Sequence, residues 1–460
     1  MLLVRPLSWT FLAAAGFALA VAPAAGRQPA KDDLPARPRN AGDIVNVYRP
    51  GGIPPGEMAK AKETFAAYAR YVAELVATPR IYTNAQEFRP ETTKGGGQIP
   101  NVNEIVGDRG LIDLTILTPE PGSKVGPENA DYIRELGKAY DEALQRLPTF
   151  GEPIVAVNGA RALAAACKSG AAAHYPTVTA LLANENVRPE VKHHLFQAAG
   201  NLLAAYDLND YRSRKHSAEP AAVGALVAAL QKAVENPAAI LPLPPGADGK
   251  PAAVPDDQAA VLRFIRREAI RALGQCRFAE FSPSKGQTLY PSFTLARVAM
   301  SDPALGVPPG PAEVAEAVIG LCNMNPPRAL NAEQYAYAMA DAVASGLITF
   351  AAPKAANAAD KSLPWRGTAA RLLDALRLWQ GLYDANFNPA APTAYAQDQV
   401  PAVVKAVAAE AERRVLGPME AGGRIDLEGF RQYRDATLRA DKKMTPAPYR
   451  ENPTLVLPRK

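Results

Sequence analysis

Histidine is the side chain best suited to acid–base work or metal binding near neutral pH, and this chain has four, His174, His193, His194 and His216. On a helix, adjacent His193 and His194 project about 100° apart and cannot easily share a metal ion. Glu190 and His194 stand one turn apart on one helical face, a spacing that suits a metal-ligating or acid/base pair. No second pair of that kind lies nearby, and H-E-x-x-H, which presents two zinc-binding histidines on one face, is absent. Structural or solvated roles therefore compete with chemistry at every histidine. The run "KGGGQ" (94–98) invites a phosphate loop, but such a loop needs Gly-Lys-Ser/Thr opening a helix. Here Lys94 precedes the glycines and Ile99-Pro100 follows, the pattern of a flexible loop. No G-x-S-x-G elbow and no Ser/His/Asp or Cys/His set stands out. Cys167, Cys276 and Cys322 form no C-x-x-C, which excludes zinc ribbons and c-type haem on spacing. Each falls near the end of an Ala-rich helix, where a thiol packs as a small apolar group. The expectation is no catalytic residue, no metal and no cofactor. The alternative is an all-α enzyme, or a carrier of a small ligand or metal, with its site within 80–127 or around Glu190 and His194.

The elements that must position these residues are nearly all helical. A hydrophobic content of 48% with 21% charged residues excludes global disorder, and the abundant alanine favours helix. The formal charge of +5, from 51 basic and 46 acidic residues, is not concentrated in any block. That pattern argues against nucleic acid as a partner. The start, "MLLVRPLSWTFLAAAGFALAVAPAAGRQ", has Arg5, an apolar core from Leu7 to Ala22, and the small residues of "APAAG". These are the parts of a secretory signal cut after Ala24 or Ala25, so the chain is expected to be exported to the periplasm or beyond the cell. An uncleaved anchor is the rival. No cysteine follows the apolar run, so a lipid anchor is not expected, nor is a membrane span in the mature chain. With an odd number of cysteines in an exported protein, at least one thiol has no internal partner.

Residues 1–26 thus form a signal, 27–57 an extended Pro/Gly-rich linker, and 58–127 a first helix (58–77) followed by an irregular region. Within that region "LIDLTILTPE" suits a short strand. Periodicity then predicts helices over 128–147, 153–168, 174–184, 189–206, 219–235, 256–277, 291–300, 311–324, 331–350, 365–384, 396–416 and 426–438. The breaks carry turn residues, as in "LPTFGEP", "NENVRP" and "LGP". Residues 235–257 are too Pro-rich to be helical, and 439–460 form a tail.

Four segments repeat one phrase. "EPIVAVNGARALAAAC" (152–167) and "RPEVKHHLFQAAGNLL" (188–203) each place a Pro two residues before Val155 and Val191. "RFIRREAIRALGQC" (263–276) joins them through Ile265, Ala269, Ala272, Leu273 and Gly274, and "PAEVAEAVIGLCNM" (311–324) through Val314, Ala317, Val318 and Leu321. Gly200 and Gly274 hold one column, with Ala164 in the first copy and Cys322 in the last. Another amphipathic helix precedes each copy. A helix pair recurring at this period buries its open apolar face by stacking on its neighbours, and small residues in the shared column let the helices approach.

The phrase resembles the HEAT-like repeat in its short bacterial form, whose second helix reads roughly D-P-x-V-R-x-x-A-x-x-A-L-G. "RPEVKHHLFQAAG" and "FIRREAIRALG" match it best, with Lys192 and Arg266 at the family's basic position. Ala156 and Ala315 depart from it there. The likeness covers about 128–324, and 325–438 reads as degenerate further pairs. It implies an all-α fold, an α-α superhelix with a less regular N-terminal segment, whose concave groove binds another protein. It implies no reaction. Arg161 and Arg271 share a column with Gln197 between them, while Lys192 and Arg266 share another. If these columns line the groove, they form a modest basic track. Surface charge and bonds to turn carbonyls are the other reading.

Overall fold

A computed structural model describes residues 34–78, 100–117, 127–206, 218–241, 254–326, 332–382 and 401–440. The signal-like segment 1–26, "KGGGQ", His216, the middle of the Pro-rich insertion (242–253) and residues 441–460 lie outside them.

The helices are α1 (Met58–Ala77), α2 (Val102–Val106), α3 (Leu111–Thr115), α4 (Pro127–Leu144), α5 (Pro153–Cys167), α6 (His174–Ala183), α7 (Pro189–Ala205) and α8 (Pro220–Glu235). They continue as α9 (Asp256–Gly274), α10 (Pro291–Ala299), α11 (Pro311–Cys322), α12 (Ala332–Ala356), α13 (Trp365–Gly381), α14 (Ala402–Ala411), α15 (Gly417–Ala421) and α16 (Leu427–Gln432). Proline stands at the first helical position of α5, α7, α8, α10 and α11. There its fixed φ favours the helix and its missing N–H is not needed. This is why the repeated phrase starts its helix where it does.

Neighbouring helices pack in sequence order as two rows, an all-α superhelix. α1, α4, α6, α8, α10, α12 and α14 follow one another in the first row. The second row runs from α2 and α3 through α5, α7, α9, α11 and α13 to α15. The apolar stripe read on the first helix, Phe65, Tyr68, Val72, Leu75 and Val76, is buried. So is the small-residue column. A Cβ added at Gly274 would stand 2.9 Å from the Cα of Gly320, and one added at Gly200 would stand 3.3 Å from the Cα of Ala272. Successive second-row helices therefore touch backbone to backbone. The residue facing Gly274 is Gly320, two positions before the Cys322 that the repeat register suggests.

Four expectations change. Residues 41–51 are helical rather than extended (Ala41–Asp43, Ile44–Tyr48, Arg49–Gly51), because Ile44 and Tyr48 are buried there, Tyr48 edge-on to Phe65 at 5.5 Å. The expected strand at 111–120 begins as helix α3, whose Ile112 is buried. Strands do occur between α9 and α10, as an antiparallel hairpin of β1 (Phe281–Ser284) and β2 (Gln287–Leu289). Gly286, at φ +83°, sits in its turn, and Phe281 packs on Tyr206 and Phe278. Finally, among the described residues one stretch is long and apolar enough to cross a membrane, Tyr335–Ala356 in α12, with mean hydropathy 1.2. Its window is 83% buried against neighbouring helices, the pattern of a core helix apolar on every side.

Candidate functional site

A cleft of about 350 Å³ opens on the second row above α2, α5, α7 and α9. Its floor is Ala164, Ala165, Gly200 and Ala272, from the helix-contact columns. The small side chains that allow close packing also leave the space above them unfilled. Polar side chains within about one turn of the floor form the walls: Arg161 from α5 and Lys168 at its end, Gln197 and Asn201 from α7, Arg271 from α9 and Gln275 at its end.

Arg161 donates from Nη1 to Asn158 Oδ1 (3.0 Å) and from Nη2 to Asn103 Oδ1 (2.8 Å). Both partners are neutral, and among the described residues no carboxylate pairs with it. Burial pulls its pKa below the ordinary arginine value. Lys168 is different. Burial alone would lower its pKa, but Asp108 at 3.1 Å and Asp113 at 3.4 Å outweigh that and raise it.

Gln197 connects the two histidines. Its Oε1 lies 2.9 Å from His194 Nδ1 and its Nε2 lies 3.3 Å from His193 Nε2. In this orientation His194 donates from Nδ1 while His193 accepts at Nε2, so the His193 proton sits on Nδ1. That atom is buried without a partner. Burial first, then His194, Arg267 and Arg271, pull His193 down to about 4. His194 is also lowered, by burial and by Arg161, with Gln197 opposing. Both rings are neutral at pH 7. Glu190 is exposed and makes no bond to His194 among the described residues, so the pair read from the sequence is not assembled. No group of three or more His, Cys, Asp or Glu side chains among the described residues is arranged to hold a metal ion.

Arg271 reaches the cleft with its charge already matched. It bonds Glu268 at 2.8 and 3.0 Å and Glu316 at 2.8 Å, and Arg371 grips Glu316 from the other side at 3.0 and 2.9 Å. Burial would raise the Glu316 pKa, but these two guanidinium groups hold it below the usual carboxylate range. The network ties α9, α11 and α13 together across the second row.

The other basic column does not line the cleft. Lys192 is 4% exposed and donates to the Ala239 carbonyl at 2.7 Å. Arg266 is fully buried; its Nε meets Glu313 Oε1 at 2.6 Å, and its Nη2 meets Val307 O at 3.0 Å. Both side chains turn into the junctions between stacked pairs and capture turn carbonyls. Only the column of Arg161, Gln197 and Arg271 faces the cleft. Lys168, Asn201, Gln275, Glu268, Glu316 and Arg371 escaped the sequence reading. Extending the Arg161 and Gln197 columns by one or two turns picks out Lys168 and Asn201, whereas the Glu316 to Arg371 link has no signal in the sequence.

The three cysteines are free and buried. Burial pushes Cys276 up to about 12 and raises Cys167 and Cys322 as well, which leaves their thiols poor nucleophiles. Buried His174 rests 3.1 Å from Asp141, whose other oxygen accepts from Thr177 at 2.8 Å. Comparison with known proteins gives no relative: no family model, no curated protein and no solved structure matches the chain.

Proposed function

We propose that this chain is an exported HEAT-like repeat protein that docks another polypeptide along the second row and catalyses no reaction. One observation carries the reading. Three consecutive second-row helices, α5, α7 and α9, bring amide and charged side chains to the rim of one cleft floored by alanine and glycine. A shallow floor lets an extended chain lie close to the helices. Side-chain amides such as Asn201 and Gln275 can then meet the alternating donors and acceptors of its backbone. The stacked order of the helices and the phrase "FIRREAIRALG" support the HEAT-like part of the reading. The N-terminal "APAAG" supports export. The groups best placed for chemistry are subdued instead, with His194 in the cleft and His193 beside it neutral and the thiols buried.

The test is site-specific photo-cross-linking in envelope fractions with a photoreactive amino acid at Gln275, a half-buried wall residue. The expected result is one discrete adduct that disappears when Ala204→Trp, at an exposed lining position, fills the cleft. A purified chain that turns over a substrate without a partner would overturn the proposal. Sequencing the N-terminus of the fractionated protein tests the export reading separately: it should begin at Ala25 or Gly26.

A further inference from the structure

The geometry points to Arg161 as the binding site for a carboxylate on the docked polypeptide, with an apolar shelf two helical turns away that takes an aliphatic or aromatic side chain of the same segment. The inference rests on the docking reading and names what the cleft selects.

The charges around Arg161 decide the first half. Lys168 is matched by Asp108 and Asp113. Arg271 lies between Glu268 and Glu316, and Arg267 approaches Glu268 at 3.6 Å. His193 and His194 are neutral at pH 7. Of the cleft's cations, the one left without a carboxylate among the described residues is the guanidinium of Arg161. Its two neutral partners, Asn158 and Asn103, fix its plane without neutralising it. A planar, oriented guanidinium fits a carboxylate through two parallel hydrogen bonds. Half-buried, it is also screened less than a surface cation.

The shelf decides the second half. Ile154 is 44% exposed, Val261 48% and Phe264 53%. Ile154 stands seven residues before Arg161 on α5, and Phe264 seven before Arg271 on α9. Seven residues are two turns, about 10.5 Å along the same helical face. The Phe264 ring is held flat against His193, with centroids 4.9 Å apart and planes 10° apart, and Arg267 lies 5.4 Å from its centre. It is thus an exposed aromatic surface that does not have to be ordered on binding. An extended chain covers about 3.5 Å per residue, so Ile154 and Arg161, on one helix, are about three residues apart for a bound peptide, whereas Val261 and Phe264 stand further from Arg161, on α9 across α7.

The experiment selects binders for the full exported chain from a library of random ten-residue peptides with free C-termini. Affinities of synthetic copies are then measured by fluorescence anisotropy. Selected peptides should carry a carboxylate about three residues from an aliphatic or aromatic side chain. Arg161→Gln and replacement of the carboxylate by an amide should each weaken binding by about tenfold or more. Combined, they should weaken it no further than either alone. Ile154→Ser should weaken binding and relax the preference for the apolar residue. Loss on amidating the C-terminus assigns the carboxylate to the chain end; retention assigns it to Asp or Glu, and both support the site. If Ala204→Trp abolishes binding while Arg161→Gln, with an unchanged melting temperature, leaves it intact, docking stands and the carboxylate site falls. If no selected peptide responds to Ala204→Trp, the docking reading falls and this inference with it.

Discussion

Arg266 and Arg271 stand five residues apart on one helix, and the structure treats them in opposite ways. Arg266, with Lys192 in the same column of the preceding copy, points into the stack and ties one helix pair to the turns of the next. Arg271, with Arg161 and Gln197, points out of the stack into the cleft. One phrase thus carries a column that assembles the array and a column that the array displays. Residue type does not separate them, because both columns are basic. The difference lies in angle around the helix: one column falls on the seam between neighbours and the other on the open face.

The largest expected effect is at the inner column. Arg266→Met leaves the Glu313 carboxylate, 1% exposed, with only the Gly310 N–H at 2.7 Å among the described residues. Removing one partner of a buried ion pair costs roughly 3–5 kcal/mol, measurable by urea denaturation. The pair itself is worth less than that, since Arg266 Nη1 is buried without a partner. Arg266→Met combined with Glu313→Gln should therefore recover at least half of the loss, because a glutamine oxygen can still accept from Gly310. Stacked repeats can open one at a time. Hydrogen exchange should accordingly show the single variant loosening α9 and α11 before α5. Equal loss in the single and double variants would mean that Arg266 supports the stack by packing alone.

Next in size is Gly274→Ala. Its new methyl would meet the Gly320 backbone at 2.9 Å, and neither helix can retreat by rotating a side chain. Overpacking of roughly 1–3 kcal/mol is set against about 1 kcal/mol of helix propensity gained, so net destabilisation is expected. Gly200→Ala meets Ala272 at 3.3 Å and should be closer to neutral. The same melting experiment ranks the two, and the reverse order would place the tightest contact of the stack elsewhere.

The periodic apolar spacing made the helices and their sequential stacking legible, and proline at the first helical position marked several of the starts. Both signals are local. What escaped is set by contacts between distant segments. Residues 41–51 look like a linker until α1 supplies a surface for Ile44 and Tyr48. The "LGP" run looks like a break, yet helical structure continues through Gly417–Ala421, and the Arg414 carbonyl accepts from Asp426 N at 2.9 Å instead. For the cleft, the column of Arg161, Gln197 and Arg271 could be read from the repeat register. Whether each charge was already matched could not, because Glu316 and Arg371 reach Arg271 from other helices.

A smaller effect follows pH. His193 has a folded pKa of about 4 against an unfolded value near 6.5. Between these values the unfolded chain binds the proton more readily, so stability falls as pH drops from about 6.5 towards 4 and levels off below. After discounting for solvent screening at a half-exposed ring, the loss is on the order of 1 kcal/mol. His193→Gln should flatten the fall in melting temperature between pH 7 and 5. Glu316, whose pKa is lowered, loses its contribution only at more acidic pH, so this interval isolates the imidazoles.

The smallest effect completes the comparison of the columns. Arg161→Gln removes a cation that is half-buried and matched by no carboxylate among the described residues. A glutamine amide can still donate to Asn158 or Asn103. Stability should stay within about 0.5 kcal/mol of the parent, with a slight gain if desolvation of the guanidinium outweighs its two hydrogen bonds. The same substitution at Arg271 should cost more, because it strips one guanidinium from buried Glu268 and Glu316. Thermal melts of the two variants at pH 7 measure the gap. A displayed residue is one the fold can lose, and equal losses at Arg161 and Arg271 would make Arg161 part of the scaffold.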